Sequence, residues 1–202
     1  MNHLRARGNL PHVDCSTAAS SDPEAALVAR VAAGDEDAFA ELYRAYRRRL
    51  ARFLGRFLKA PDAIDELIND VMFVVWQDAA RFELRSKVST WIFGIAWYKA
   101  LKALERQQRE RLFLARTADI DVVSRAAPAI EEREWLRRGL DQLAPEQRLV
   151  VELTFFMGFS YGEIAAIADC PVNTVKTRMF HARHRLREIL KALASIDTED
   201  RT

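Results

Sequence analysis

The sequence predicts an all-α protein of two small helical domains joined by a flexible linker, the second domain being a helix-turn-helix. Apolar residues recur at helical spacing along almost the whole chain, and no segment alternates with period two for long enough to make a sheet strand. Only seven glycines and six prolines interrupt the 202 residues. The apolar stripe fades once, between Arg106 and Ala129, in a charged, alanine-rich stretch containing Thr117, Ser124 and Pro128, which reads as a linker with little core of its own. The expected domains are therefore residues 24–108 and 131–194, with the linker over 109–130.

Composition narrows the function classes. Half of the residues are hydrophobic and 30% are charged, a globular balance. The formal net charge is only +2, so a nucleic-acid surface has to come from local clustering. Cys15 and Cys170 lie far apart without paired spacing, which argues against a disulfide framework or a zinc ribbon and fits a reducing cytoplasm. The first 21 residues carry no continuous apolar run, and no later stretch approaches the roughly 18 apolar residues of a membrane span. Neither secretion nor membrane insertion is expected.

Residues 1–22 lack periodicity and read as a disordered tail, which ends where Ser21, Asp22 and Pro23 supply helix-start chemistry. Four apolar stripes follow: Leu27, Val28 and Val31; Phe39 to Phe57; Ile64, Leu67, Ile68, Val71 and Val75; and Trp91, Ile92, Ile95 and Leu101. On the third, burial of the stripe leaves Phe73 on the opposite face among Asp62, Glu66, Asn69, Asp70 and Gln77. An aromatic ringed by acids suits a protein-binding hot spot, against the plainer reading of a solvated acidic face. Near the fourth stripe, aromatics and cations alternate, which suits single-stranded DNA because bases offer stacking faces and phosphates offer charge. The candidates there are Phe82, Trp97, Tyr98, Lys99, Lys102 and Arg106. The competing role for these aromatics is core, which periodicity favours for Trp91 and Ile95.

In the second domain the stripe resumes at Trp135, Leu136, Leu140 and Leu143. Ser160 with Glu163 forms a capping box opening a short helix, Ala165 offers a small residue for a close helix crossing, and Pro171 forces a turn before Asn173 or its neighbour caps a second helix. At about 100° per residue, Val175, Met179, Ala182, Leu186 and Leu190 point inward on that second helix. Asn173, Thr177, Phe180, His181 and His184 then point outward, flanked by Lys176 and Arg183 on one side and Arg178 and Arg185 on the other. Cations at the groove edges neutralise phosphates while central side chains reach base edges, and Phe180 suits a thymine methyl. His181 and His184 show no metal-ligand partner at the usual spacing, so no metal, cofactor or catalytic residue is expected.

These segments carry a resemblance. Leu143-Ala144-Pro145-Glu146-Gln147-Arg148, Gly158-Phe159-Ser160-Tyr161 with Glu163-Ile164-Ala165, Pro171 through Arg178, and Ala182-Arg183 with Arg185-Leu186-Arg187 closely resemble the promoter-binding region of sigma-70-family factors of the extracytoplasmic-function group. The resemblance implies a two-domain sigma factor that binds core RNA polymerase and directs it to promoters. It implies duplex reading at the −35 element by Asn173, Thr174, Lys176, Thr177, Arg178, Phe180, His181, Arg183 and Arg185. Asp65 through Met72, ending at Trp76, looks like the family's polymerase-binding helix, with Asn69 where glutamine is usual and Met72 where phenylalanine is. That implies Asp62, Asp65, Glu66, Asn69, Asp70 and Phe73 facing the clamp helices of the largest polymerase subunit. Arg81 through Tyr98 resembles the −10-reading segment, without the glycine-containing loop and nearby asparagine common in the family. An anti-sigma factor is a further partner implied by resemblance. The competing reading is a helix-turn-helix regulator binding operator DNA without being a sigma subunit; a sensor or receiver domain in front would mark it, and the helical N-terminal half does not read as one.

Overall fold

The computed structural model describes residues 22–117 and 132–199. Within them the chain forms eight α-helices and no strand. They are α1 (Pro23–Ala32), α2 (Glu36–Leu54), α3 (Pro61–Asp78), α4 (Val88–Thr117), α5 (Glu132–Asp141), α6 (Pro145–Val151), α7 (Tyr161–Ile167) and α8 (Val172–Glu199). The expectations for residues 1–21 and 118–131, and for the Trp135 side chain, lie outside the described residues. No described helix is long and apolar enough to cross a membrane.

The helix starts follow local chemistry. Asp22 caps α1 by accepting from the Glu24 N–H, with Pro23 in the first turn, and Asp35 caps α2 by accepting from Ala38 N–H at 2.9 Å. The latter bond, reinforced by Arg30, holds the Asp35 carboxyl below its ordinary range. α2 then buries Leu42, Tyr46, Leu50, Phe53 and Leu54, and the Tyr46 hydroxyl donates to Glu24 at 2.6 Å, tying α1 to α2. α3 presents Ile68, Val71, Met72 and Val75 to the same core, and α4 closes it with Ile92, Phe93, Ala96 and Ala100.

Two differences from the sequence reading have physical causes. The linker was expected from residue 109, yet α4 runs on to Thr117. Residues 106–114 are rich in strong helix formers and carry an Arg106–Glu110 pair one turn apart at 3.5 Å, so the fading stripe marks loss of burial and not loss of helix. The two helical units also touch. α7 packs on α4, Phe93 meets Phe159 at a ring separation of 5.2 Å, and the buried apolar residues form one continuous cluster.

Candidate nucleic-acid and polymerase interfaces

The helix-turn-helix is built from α7 and α8. Ser160 Oγ accepts from Glu163 N–H at 3.3 Å, and the Glu163 carboxylate accepts from Ser160 N–H at 2.8 Å, completing the capping box. Burial pushes the Glu163 carboxyl up, but hydrogen bonds from Lys87 and Ser160 outweigh it and hold the group below its ordinary range. After α7 the chain turns through Asp169 at φ 47° and Cys170, whose N–H donates to the Ala165 carbonyl at 3.0 Å. Burial pushes the Cys170 thiol up, and its sulfur lies 3.6 Å from an Arg178 nitrogen. α8 begins at Val172, so Asn173 is inside the helix and does not cap it. Pro171 precedes the helix and its carbonyl accepts from Thr174 N–H at 2.9 Å; the nitrogen Pro171 lacks as a donor is not needed there.

The inward stripe of α8 is Val175, Met179 and Ala182, all buried, then half-buried Leu186, with Ile189 as the buried residue of the following turn and Leu190 half-buried. This fixes the outward face. Asn173, Lys176, Thr177, His181, Arg183, His184 and Arg185 are exposed, Thr174 and Arg178 half-buried, and Phe180 is 67% exposed with its ring edge-on to His181 at 5.5 Å. The Thr177 hydroxyl donates to the Asn173 carbonyl at 3.0 Å. Its donor is thereby used within the helix. Arg183 lies 5.7 Å from the Phe155 ring, which braces it from the α6 side. A carboxylate does reach one histidine: Glu188 lies 3.7 Å from His184 Nδ1, a pair the sequence reading overlooked. No group of three possible metal ligands occurs among the described residues.

On the first unit, α3 carries Asp62, Asp65, Glu66, Asn69, Asp70 and Phe73 on its exposed face, with Phe73 59% exposed. Arg47 pairs with Asp65 at 3.2 Å, the Tyr43 hydroxyl donates to Asn69 at 2.8 Å, and Lys99 pairs with Asp70 at 2.9 Å. Beside Phe73 lies a shallow groove of about 670 Å³ lined by Glu36, Phe39, Tyr43, Asn69, Met72 and Trp76. Sequence reasoning assigned Phe39 and Tyr43 wholly to the core. Their i, i+4 spacing on α2 is the signal that they share one strip, half of which stays open.

The third group is divided by burial. Trp97 is corrected: it is 4% exposed and packs against Phe57 at 5.3 Å, so it supports the unit and offers no stacking face to a base. Tyr98, one residue on and therefore about 100° around the helix, is 50% exposed with Lys102 over its ring at 5.7 Å. Phe82 is half-buried and stacked on Trp91 at 4.6 Å. Lys99 is half-buried in its pair with Asp70, Lys102 pairs with Glu105 at 3.3 Å, and Arg106 is exposed beside Glu110. The loop before α4 adds a residue the sequence did not flag: Leu84, exposed at φ 55°, a left-handed backbone that leucine rarely adopts.

One helical unit ends in a helix-turn-helix with a basic outward face, and the other presents an aromatic ringed by acids. Together they define the class as two-unit, all-helical proteins that carry a helix-turn-helix. Residues 42–110 match the family model for sigma-70 region 2, and residues 133–186 match that for sigma-70 region 4. The chain is 32% identical over 158 residues to the ECF RNA polymerase sigma factor RpoE of Cereibacter sphaeroides, covering 76% of this chain and 87% of that one. It is 29% identical over 179 residues to the ECF RNA polymerase sigma factor SigK of Mycobacterium ulcerans, covering 85% and 96%. Among solved structures it is similar to CnrH in complex with the cytosolic domain of CnrY, with a TM-score of 0.65 and 25% identity over 85% of this chain and 99% of that one. It is also similar to the Bartonella quintana sigma factor RpoE in complex with the anti-sigma factor NepR, at a TM-score of 0.60 and 26% identity over 76% and 96%. The chain belongs to the extracytoplasmic-function group of sigma-70-family RNA polymerase sigma factors.

Proposed function

We propose that the two helical units divide promoter recognition between them. Residues 24–108 bind core polymerase through Asp62, Asp65, Glu66, Asn69, Asp70 and Phe73, and read the −10 element through Phe82, Tyr98, Lys99, Lys102 and Arg106. Residues 131–194 place α8 in the major groove of the −35 element. The observation that carries this reading is the outward face of α8, where Lys176, Thr177, Phe180 and His181 stand in water between basic flanks on a capped helix-turn-helix. Phosphate-facing cations fix position there and the central side chains read bases. Bond-making chemistry belongs to the polymerase, and the protein works in the cytoplasm where the polymerase is.

An anti-sigma factor completes the proposed partners. Support comes from the solved relative bound to the anti-sigma factor NepR, whose fold this chain shares. The test of the division is reconstitution with core polymerase. Lys176→Glu with Arg178→Glu should abolish promoter-specific initiation and spare polymerase binding, and Asp70→Ala with Phe73→Ala should lose polymerase binding itself. Unchanged promoter-specific transcription by the first pair overturns the assignment of α8.

A further inference from the structure

A cleft of about 640 Å³ opens where the end of α2 and the turn after it, the later half of α4, α5 and the start of α6 come together. Six cations line it: Arg52, Arg56, Lys59, Arg111, Arg137 and Arg148. Asp141 is the one acidic residue in the lining. None of these residues belongs to the promoter or polymerase faces. Spacing within each helix brings them to one side: Leu104, Gln107 and Arg111 share a face of α4, Arg137, Leu140 and Asp141 a face of α5, and Pro145 and Arg148 a face of α6.

Part of this charge is engaged. Asp141 accepts from Arg148 at 2.6 Å and from Arg137 at 3.4 Å, and Lys59 lies 4.0 Å from it. The buried Glu152 pairs with Arg56 at 3.6 Å and with Arg148 at 3.7 Å. Rings brace the same two guanidiniums, since Arg56 lies 4.7 Å from the Phe156 ring and Arg148 5.4 Å from the Phe57 ring. Two carboxylates thus serve four of the cations. Arg52 and Arg111 have no carboxylate partner among the described residues.

Crowding of this kind does not help the fold. Like charges in a concavity repel, and the low-dielectric walls focus their field, so the cleft concentrates anions. Guanidiniums suit phosphate in particular, because their forked N–H donors match two of its oxygens, and braced ones lose less freedom on binding. Size narrows the ligand further. Small-molecule sites run from about 300 to about 1,000 Å³, and a nucleic-acid duplex does not enter a cleft of this volume. Leu104, Leu140 and Leu143 supply an apolar floor, and half-buried Gln107 an amide that both donates and accepts.

We propose that this cleft is a binding site for a small polyphosphate, with Arg52 and Arg111 as its unengaged phosphate ligands and Arg56 and Arg148 as the braced cations beside them. A nucleotide and an inorganic phosphate chain share that chemistry. They differ in the use they make of the apolar floor and Gln107, against which only a nucleoside can lie.

The test is titration calorimetry of the full chain with magnesium-free ATP, GTP and inorganic tripolyphosphate at physiological ionic strength. The wild type should bind one polyphosphate per chain. Arg52→Ala with Arg111→Ala should weaken binding by more than about tenfold, as expected for lost hydrogen bonds between charged groups. Neither guanidinium pairs with a carboxylate, so the melting temperature of that variant should stay within a few degrees of wild type. α8 is the other cation-rich surface, and a polyphosphate resembles a stretch of DNA backbone. Lys176→Ala with Arg183→Ala is therefore the control, and it should leave the affinity unchanged. Tighter binding of ATP or GTP than of tripolyphosphate makes a nucleotide the source of the phosphates, and the reverse order makes it the inorganic chain. No binding of any of the three probes, undiminished binding after the Arg52 and Arg111 changes, or an equal loss after the α8 changes overturns the site.

Discussion

Replacing Phe73 by alanine isolates the polymerase-facing surface. A phenylalanine side chain carries about 200 Å², and Phe73 leaves 59% of its surface in water. About 120 Å² is therefore available to a partner, which at ~25 cal/mol/Å² corresponds to about 3 kcal/mol of binding free energy. That is roughly a hundredfold in affinity if the partner covers the ring fully. The surrounding acids add orientation more than energy, because Asp65 and Asp70 already hold Arg47 and Lys99. The ring contributes little to the fold, so the melting temperature should stay within a few degrees. Titration of labelled protein with core polymerase measures the loss. A dissociation constant within threefold of wild type, with the fold intact, would refute the assignment of Phe73 as the centre of that surface.

Trp97→Ala should lower stability by about 3–5 kcal/mol in denaturant unfolding, because Trp97 fills core space against Phe57, whereas Tyr98→Ala should leave unfolding nearly unchanged and weaken promoter opening. Ser160→Ala removes one half of the capping box and should cost about 1 kcal/mol, read by the same unfolding curves. Burial raises the Glu152 carboxyl, against the opposing pull of Arg56 in the turn after α2 and Arg148 from α6, with Asp141 of α5 adding to the rise. A carboxyl raised above its ordinary value means that the folded chain binds the proton more tightly than the unfolded one. The contribution of Glu152 to stability is then fully present below the ordinary carboxylate value and is lost as pH rises through the raised one. Denaturant unfolding should show stability falling over that window, and Glu152→Gln should remove that part of the pH response.

Local signals carried much of the architecture. Asp22-Pro23 and the Ser160/Glu163 box are written within four residues and appear as read. So does the inward stripe Val175, Met179 and Ala182, which by subtraction sets the outward face of α8. Phe73 was legible for the same reason, since its neighbours on the helix fix its direction. The rest depends on partners distant in sequence. Trp97 and Tyr98 are adjacent aromatics with equal claims until Phe57 covers one of them. The end of α4 was misplaced because apolar periodicity reports burial, and residues 109–114 form helix while exposed. Nothing local announces that Phe93 will meet Phe159, or that Glu152 lies beneath Arg56. Glu152 reads as an ordinary helix residue until the two units come together.

The most direct measurement of a two-point grip on the promoter is start-site sequencing of transcripts made by core polymerase reconstituted with this protein on genomic DNA. The account predicts defined starts that share two upstream sequence elements at a fixed separation, with the distal element lost as a requirement when Lys176 and Arg178 are both changed to glutamate. Undefined starts, or starts that share a single element unaffected by those changes, would contradict it.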